Sequence, residues 1–134
     1  MRVSVFLISW LLVSSVTLVS CSGGKHERLQ LSISLRNDTV VSLDWMEIKW
    51  DGPDVPGGIM SPGNEKMADD VQPPKSDVAT ISFVEQTSRK PHTIKLDVSR
   101  IKALRSGEHY VVLAVTSLDE AKVFINAQPW QSNR

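Results

Sequence analysis

Val78-Ala79-Thr80-Ile81-Ser82-Phe83-Val84 is the stretch of this 134-residue chain that most clearly decides the fold. Most of its side chains are β-branched or aromatic, and alternate residues from Ala79 to Phe83 share one face of an extended strand. The polar segment 87–90 then reverses the chain, and apolar and polar residues alternate again from His92 to Val98. Two alternating runs joined by a short polar turn predict a β-hairpin with one buried face.

The same period of two recurs on both sides of this hairpin. Further strands are predicted at 29–35, 41–50, 65–71, 110–115 and 123–125, with a short buried or edge piece at Ile59-Met60. Together they make about seven strands separated by turn residues, which predicts an all-β, immunoglobulin-like β-sandwich; a small β-barrel is the alternative. The chain has a single cysteine, so the immunoglobulin disulfide is absent and the resemblance is one of architecture.

Two shorter signals lie between the strands. Ser61-Pro62-Gly63-Asn64 has proline and glycine at the central positions that a type II turn prefers. The segment 99–107 contains helix-forming residues and predicts one helical turn that ends at Gly107.

The strand at 41–50 does not have one clean apolar face. Leu43 and Trp45 share one parity with two charged residues, whereas Met46, Ile48 and Trp50 share the other with Asp44. A β-bulge that switches the faces part-way would explain this pattern. Trp45 and Trp50 have opposite parity, so in a regular strand only one of them points into the core.

The N-terminal segment has the three parts of a secretory signal peptide. Arg2 supplies the positive charge, an apolar run extends from Val3 to Val19, and small residues precede the only cysteine. Leu18-Val19-Ser20-Cys21 resembles the lipobox of bacterial lipoproteins. That resemblance implies diacylglycerol on the Cys21 thiol, cleavage before Cys21 and, because Ser22 is not aspartate, transport to the periplasmic face of the outer membrane.

The resulting organisation is a lipoprotein signal peptide at 1–20, a lipidated tether at 21–27, a β-sandwich domain at 28–128 and a tail at 129–134. Cleavage leaves 114 residues with 14 basic and 15 acidic side chains, enough for one domain. A nearly neutral chain produces no field of one sign that would gather nucleic acid, so no nucleic-acid partner is expected.

No catalytic or metal-binding pattern stands out. His26, His92 and His109 lack the close spacing of a metal site, and no serine lies in a nucleophile elbow. Asp69-Asp70 is interpreted as a solvated loop, and a thioether at Cys21 would be neither ligand nor nucleophile. The expectation is therefore a protein without a cofactor that is not an enzyme.

The longest irregular stretch, 51–74, is the predicted contact surface for a protein partner. Its candidate contacts are Trp50, Ile59, Met60 and Met67, although Ile59 and Met60 could instead close one end of the core. The arrangement Trp50-Asp51-Gly52, Gly58-Ile59 and Pro62-Gly63 resembles small bacterial lipoproteins, and some lipoproteins of this build are immunity proteins against toxins of type VI secretion. The alternatives are a structural subunit of an envelope or secretion assembly and a carbohydrate-binding module.

Overall fold

The computed structural model describes residues 28–52, 55 and 57–126. The predicted signal peptide, the predicted lipidation site at Cys21, the predicted tether and the predicted tail lie outside the described residues. The strands are β1 (Gln30–Asn37), β2 (Leu43–Lys49), β3 (Gly58–Met60), β4 (Glu65–Ala68), β5 (Val78–Glu85), β6 (Pro91–Asp97), β7 (Glu108–Val115) and β8 (Ala121–Ile125). One short helix, α1 (Ser99–Lys102), lies between β6 and β7.

The eight described strands form two four-stranded sheets. One sheet has the order β4-β1-β7-β8, which we call the β1 sheet, and the other has the order β3-β2-β5-β6, which we call the β2 sheet. An all-β sandwich is therefore confirmed, with eight strands in place of about seven, and the alternative of a closed barrel is not what forms. The hairpin predicted from 78–98 is the β5–β6 pair.

Alternating side chains of both sheets fill the space between them. In β1 the alternate residues Leu31, Ile33 and Leu35 are buried in the core, as the sequence predicted. β7 is apolar and buried from Val111 to Val115, where it lies in the middle of its sheet between β1 and β8. The β1–β7 pairing is parallel, from Gln30 opposite Glu108 to Asn37 opposite Val115.

The strand directions define two ends of the sandwich. β1 begins at the end where the described chain starts, which we call the N-terminal end, and runs to the opposite, far end. The far end carries the connections 38–42, 61–64, 86–90 and 116–120. An eight-residue strand covers about 25 Å, which sets the separation of the two ends.

The predicted turn and helix both form. The Asn64 N–H donates to the Ser61 carbonyl at 3.0 Å, and Gly63 has the positive φ of 78° that a type II turn requires. The helix ends earlier than predicted, at Lys102, and Gly107 instead lies at φ 85° in the turn that leads into β7.

Candidate binding surface at the β2 bulge

A β-bulge interrupts β2 at Trp45. Leu43 pairs with Met60 and Met46 with Gly58, so two residues of β2 lie opposite Ile59 alone. On the other side of β2 the register to β5 also shifts between Asp44 and Glu47. The bulge that the mixed parity of 41–50 indicated is therefore present, and it is expressed in both neighbouring pairings.

Trp45 is solvent-exposed. Its side chain is 70% exposed, and its backbone lies in the left-handed region at φ 53°. A bulky residue seldom adopts positive φ, because its Cβ crowds the backbone, and the strain costs about 1–3 kcal/mol. Trp45 thus combines backbone strain with an exposed apolar ring.

Trp50, which the sequence analysis named as a candidate contact for a partner, is less exposed than Trp45. It is partly buried and packs against the core cluster, beyond the end of β2. After the bulge at Trp45, the even-numbered residues of β2 face the core. Met46 and Ile48 are therefore buried, and Trp50, which follows in the same alternation, also lies toward the core. Trp50 is therefore the less exposed of the two rings, and its predicted contact with a partner stays a prediction.

The edge strand β3 divides two other candidates between surface and core. Ile59 faces outward beside the bulge and is 61% exposed, whereas Met60 is completely buried and faces inward. Met60 therefore belongs to the core, as the alternative interpretation held, and it has no surface to offer a partner. Gly57 permits the close approach of β3, because a Cβ there would lie 1.8 Å from the Met46 carbonyl oxygen.

An ion pair adjoins Trp45. Asp44 faces the outer side of the β2 sheet, and its Oδ2 accepts a hydrogen bond from Nη1 of Arg89 at 2.8 Å. The carboxylate is nearly buried, with 10% of the side chain exposed, whereas the Arg89 side chain is 61% exposed. Arg89 lies in the β5–β6 hairpin and, like Trp45, has a positive φ, 58°. Sequence reasoning missed this pair.

Met67 lies on the outer face of the other sheet, away from Ile59. It is 51% exposed and borders a cleft of 510 Å³ lined by Ser32, Glu65, Met67, Asp69, Glu108, His109 and Tyr110. Glu65 accepts hydrogen bonds from the Ser34 and Tyr110 hydroxyls, and Asp69 accepts one from Ser32. The protein itself thus supplies donors to two of the cleft's carboxylates, and the four predicted contact residues do not form one surface.

The histidines and the acidic pair considered in the sequence analysis contact other residues of the protein. His92 stacks on Phe83 with ring centroids 5.3 Å apart, and His109 has hydrogen-bond partners in Asn126 and Ser106. Asp70, next to Asp69, approaches Arg28 at 3.9 Å. Within the described residues no cluster of histidine, cysteine and carboxylate side chains is placed to hold a metal ion. In that same part of the chain, no helix has the length and apolar character needed to cross a bilayer.

One signal could have identified Trp45 from sequence. Met46, Ile48 and Trp50 form an uninterrupted apolar parity at the end of the strand, which leaves Trp45 on the other face. The Asp44–Arg89 pair has no comparable signal, because the two residues are separated by 45 positions in sequence.

Comparison with known proteins adds no function. No protein-family model matches the chain, and no curated protein sequence matches it. Among solved structures, it is similar to the NMR structure of a protein from Eubacterium rectale, with a TM-score of 0.43 and 16% sequence identity. The similarity covers 83% of this chain and 96% of that one. At this level the likeness says nothing about function.

Proposed function

We propose that this protein is a lipid-anchored, non-enzymatic protein-binding module of the bacterial outer membrane, facing the periplasm. Its contact surface is the outer face of the β2 sheet around Trp45 and Ile59. The observation that carries the proposal is Trp45, an exposed tryptophan held in a strained backbone conformation at a bulge.

Two physical arguments support a contact role for Trp45. A mostly exposed ring contributes little core packing that could offset its backbone strain, so its position calls for another explanation. Tryptophan is also among the residues that most often dominate the free energy of protein association, because it buries a large area with few rotatable bonds. Ile59 extends the apolar area across the neighbouring edge strand.

The position of this surface suits an anchor at Cys21. Trp45 lies two residues into β2 from the far end, whereas the tether would enter at Arg28, at the N-terminal end. With the tether attached there, the Trp45 surface would lie toward the end of the sandwich opposite the attachment point. A soluble or membrane-bound partner in the periplasm could then reach it.

The partner class follows from the lipoprotein resemblance. A secreted toxin is the proposed partner, which would make the chain an immunity protein. The alternative function is that of a structural subunit of an envelope assembly. Its partner would then be a stable component of the envelope, which is present whether or not a toxin is.

Site-specific photo-crosslinking in cells tests this surface. p-Benzoyl-phenylalanine at position 45 keeps an aromatic side chain there, and the same substitution at Phe124 provides a matched control on the outer face of the β1 sheet. We expect a discrete crosslinked protein from position 45 and none from position 124. Crosslinks of equal intensity at both positions, or none at position 45, would contradict the proposal. Mass spectrometry of the crosslinked band distinguishes a toxin from an envelope component.

A further inference from the structure

We infer that Arg89 makes the Trp45 surface specific for an acidic partner, one that presents an aspartate or glutamate next to an apolar side chain. This inference rests on the proposed function and names the chemistry of the partner. In it Arg89 binds the partner's carboxylate, Trp45 and Ile59 bury the neighbouring apolar group, and Asp44 positions Arg89.

The buried carboxylate of Asp44 cannot itself meet a partner. Its Oδ1 has almost no accessible surface and lacks a hydrogen-bond partner among the described residues, and Oδ2 is occupied by Arg89. A carboxylate held this deep with one oxygen unpaired needs a fixed counter-ion, because desolvation of the charge is costly. Asp44 therefore pairs with the Arg89 guanidinium from below the surface, at the strand position next to Trp45.

Arg89 is available where Asp44 is not. A guanidinium has five N–H donors, and Nη1 of Arg89 makes its side chain's one hydrogen bond within the described residues. With 61% of the side chain exposed, Arg89 is accessible to a partner. A planar guanidinium binds a carboxylate through two parallel hydrogen bonds, and the bond from Nη1 to Asp44 restricts the arginine before a partner arrives.

The charges around the bulge favour an anionic partner. Exposed cationic residues on the outer face of the β2 sheet and its far-end hairpin are Lys49, Arg89, Lys90 and Lys95. The exposed carboxylates of the same region are Glu47 and Asp97. Asp44 is buried beneath Arg89, and Glu85, with 17% of its side chain exposed, accepts a hydrogen bond from Ser88. The exposed charges are thus mostly positive, which attracts an acidic segment and disfavours a basic one.

A structural explanation competes with this one: Arg89 could serve only to neutralise Asp44. The two explanations differ in what happens when both charges are removed together. Asp44→Asn/Arg89→Gln leaves no buried charge without its partner, so a purely structural pair would tolerate it without any change in binding. A contact role for Arg89 requires that binding be lost.

The test uses a random twelve-residue phage-displayed peptide library on the full chain, purified in detergent. We expect enriched peptides that carry aspartate or glutamate next to an aromatic or aliphatic residue. Their affinity should fall about tenfold or more for Trp45→Ala and for Asp44→Asn/Arg89→Gln, which corresponds to the loss of one strong contact. Arg105→Gln, at an exposed arginine of the N-terminal end, should leave affinity unchanged.

Substitutions in the peptide keep the test independent of folding. Replacing the peptide's acid with its amide should weaken binding to the unaltered protein by about the same factor. If peptide binding depends on Trp45 but on neither Arg89 nor the peptide's acid, the inference is wrong and the proposed function stands. If no enriched peptide depends on Trp45, both fail. Thermal unfolding of each variant confirms that the compared proteins are folded.

Discussion

At the scale of single residues, Trp45 shows how a local conflict marks a functional candidate. Its backbone conformation suits glycine, and its ring is mostly in water, so neither backbone nor burial accounts for a tryptophan there. Arg89, the ion-pair partner of Asp44, presents the same combination of positive φ and exposure. Trp45 is the chain neighbour of Asp44 and Arg89 is its ion-pair partner. The backbone strain of two positive-φ residues is therefore located around one nearly buried carboxylate.

Trp45→Gly should separate stability from binding. Glycine relieves the positive-φ strain, while its greater freedom in the unfolded chain offsets part of the gain, so we expect the free energy of unfolding to rise by about 1 kcal/mol. Partner or peptide binding should be lost in the same variant. Denaturant titration measures the first quantity. A decrease in stability of more than about 1 kcal/mol would show that the ring packs as a structural element.

Asp97 provides a prediction about pH. Hydrogen bonds from the Ser99 side chain and backbone lower the pKa of Asp97 below its ordinary value of 3.8. A lowered pKa means that the ionised form stabilises the fold above the unfolded value, and that this contribution is lost as pH falls through the folded value.

The stability difference between the wild type and Asp97→Asn should therefore be constant near neutral pH and shrink below about pH 4. Urea titrations from about pH 2 to 7 measure it. A difference that stays the same down to the lowest pH would refute the role assigned to Ser99.

At the scale of elements, β3 is an edge strand of three residues, in which Ile59 faces solvent and Met60 faces the core. Met60 pairs with Leu43 and fills the core, whereas Ile59 extends the exposed surface beside Trp45. Short edge strands limit unwanted pairing with other chains, so β3 can carry an exposed apolar residue with little risk of aggregation.

The neighbouring pair Ile59→Ala and Met60→Ala should give opposite results. Met60→Ala leaves a cavity in the core and should lower the free energy of unfolding by about 2–5 kcal/mol. Ile59→Ala removes a side chain that is largely in water and should change stability by less than about 1 kcal/mol while weakening partner binding. Chemical denaturation and the peptide assay measure the two effects. Similar stability losses in both variants would place Ile59 in the core.

Strand position within each sheet predicts local stability. β1 and β7 are central and mutually paired, whereas β3 and β4 are edges. We expect the slowest amide hydrogen exchange in β1 and β7, and exchange at least about tenfold faster in β3 and β4, because edge strands open without disrupting the whole sheet. Mass spectrometry or NMR reports these rates. Equal protection throughout would indicate that the sandwich opens only as a unit.

At the scale of the whole molecule, the first described residues and the proposed contact surface lie toward different ends of the sandwich. The tether would enter beside Gln30, whose N–H donates to the Gly107 carbonyl at 2.8 Å. This arrangement is useful only if Cys21 carries the lipid.

Cys21→Ser should abolish lipid attachment, because serine has no thiol to receive diacylglycerol. Metabolic labelling with an alkyne fatty acid should therefore label the wild type alone, and the variant should leave the membrane fraction or remain uncut. Label on the serine variant would rule out the anchor. The two acyl chains of the diacylglycerol expected on the wild type give durable attachment, since a single chain binds only marginally.

The sequence alone determined the properties that depend on local pattern. Alternation of apolar and polar residues identified the hairpin at 78–98 and most of the other strands, because period two is a direct consequence of strand geometry. The same locality explains why the turn at Ser61–Asn64 was predicted correctly. The leader and lipobox are likewise local patterns, and they remain predictions.

Only the tertiary structure decided which residues share a surface. The parallel pairing of β1 with β7 joins segments separated by about seventy residues of intervening chain, and no local pattern specifies it. The bulge decided that Trp45 faces solvent and Trp50 the core, since one extra residue reverses every later side chain. Arg89 reaches Asp44 because the β2 sheet brings the β5–β6 hairpin beside the bulge. Long-range pairing therefore decided the composition of the candidate surface.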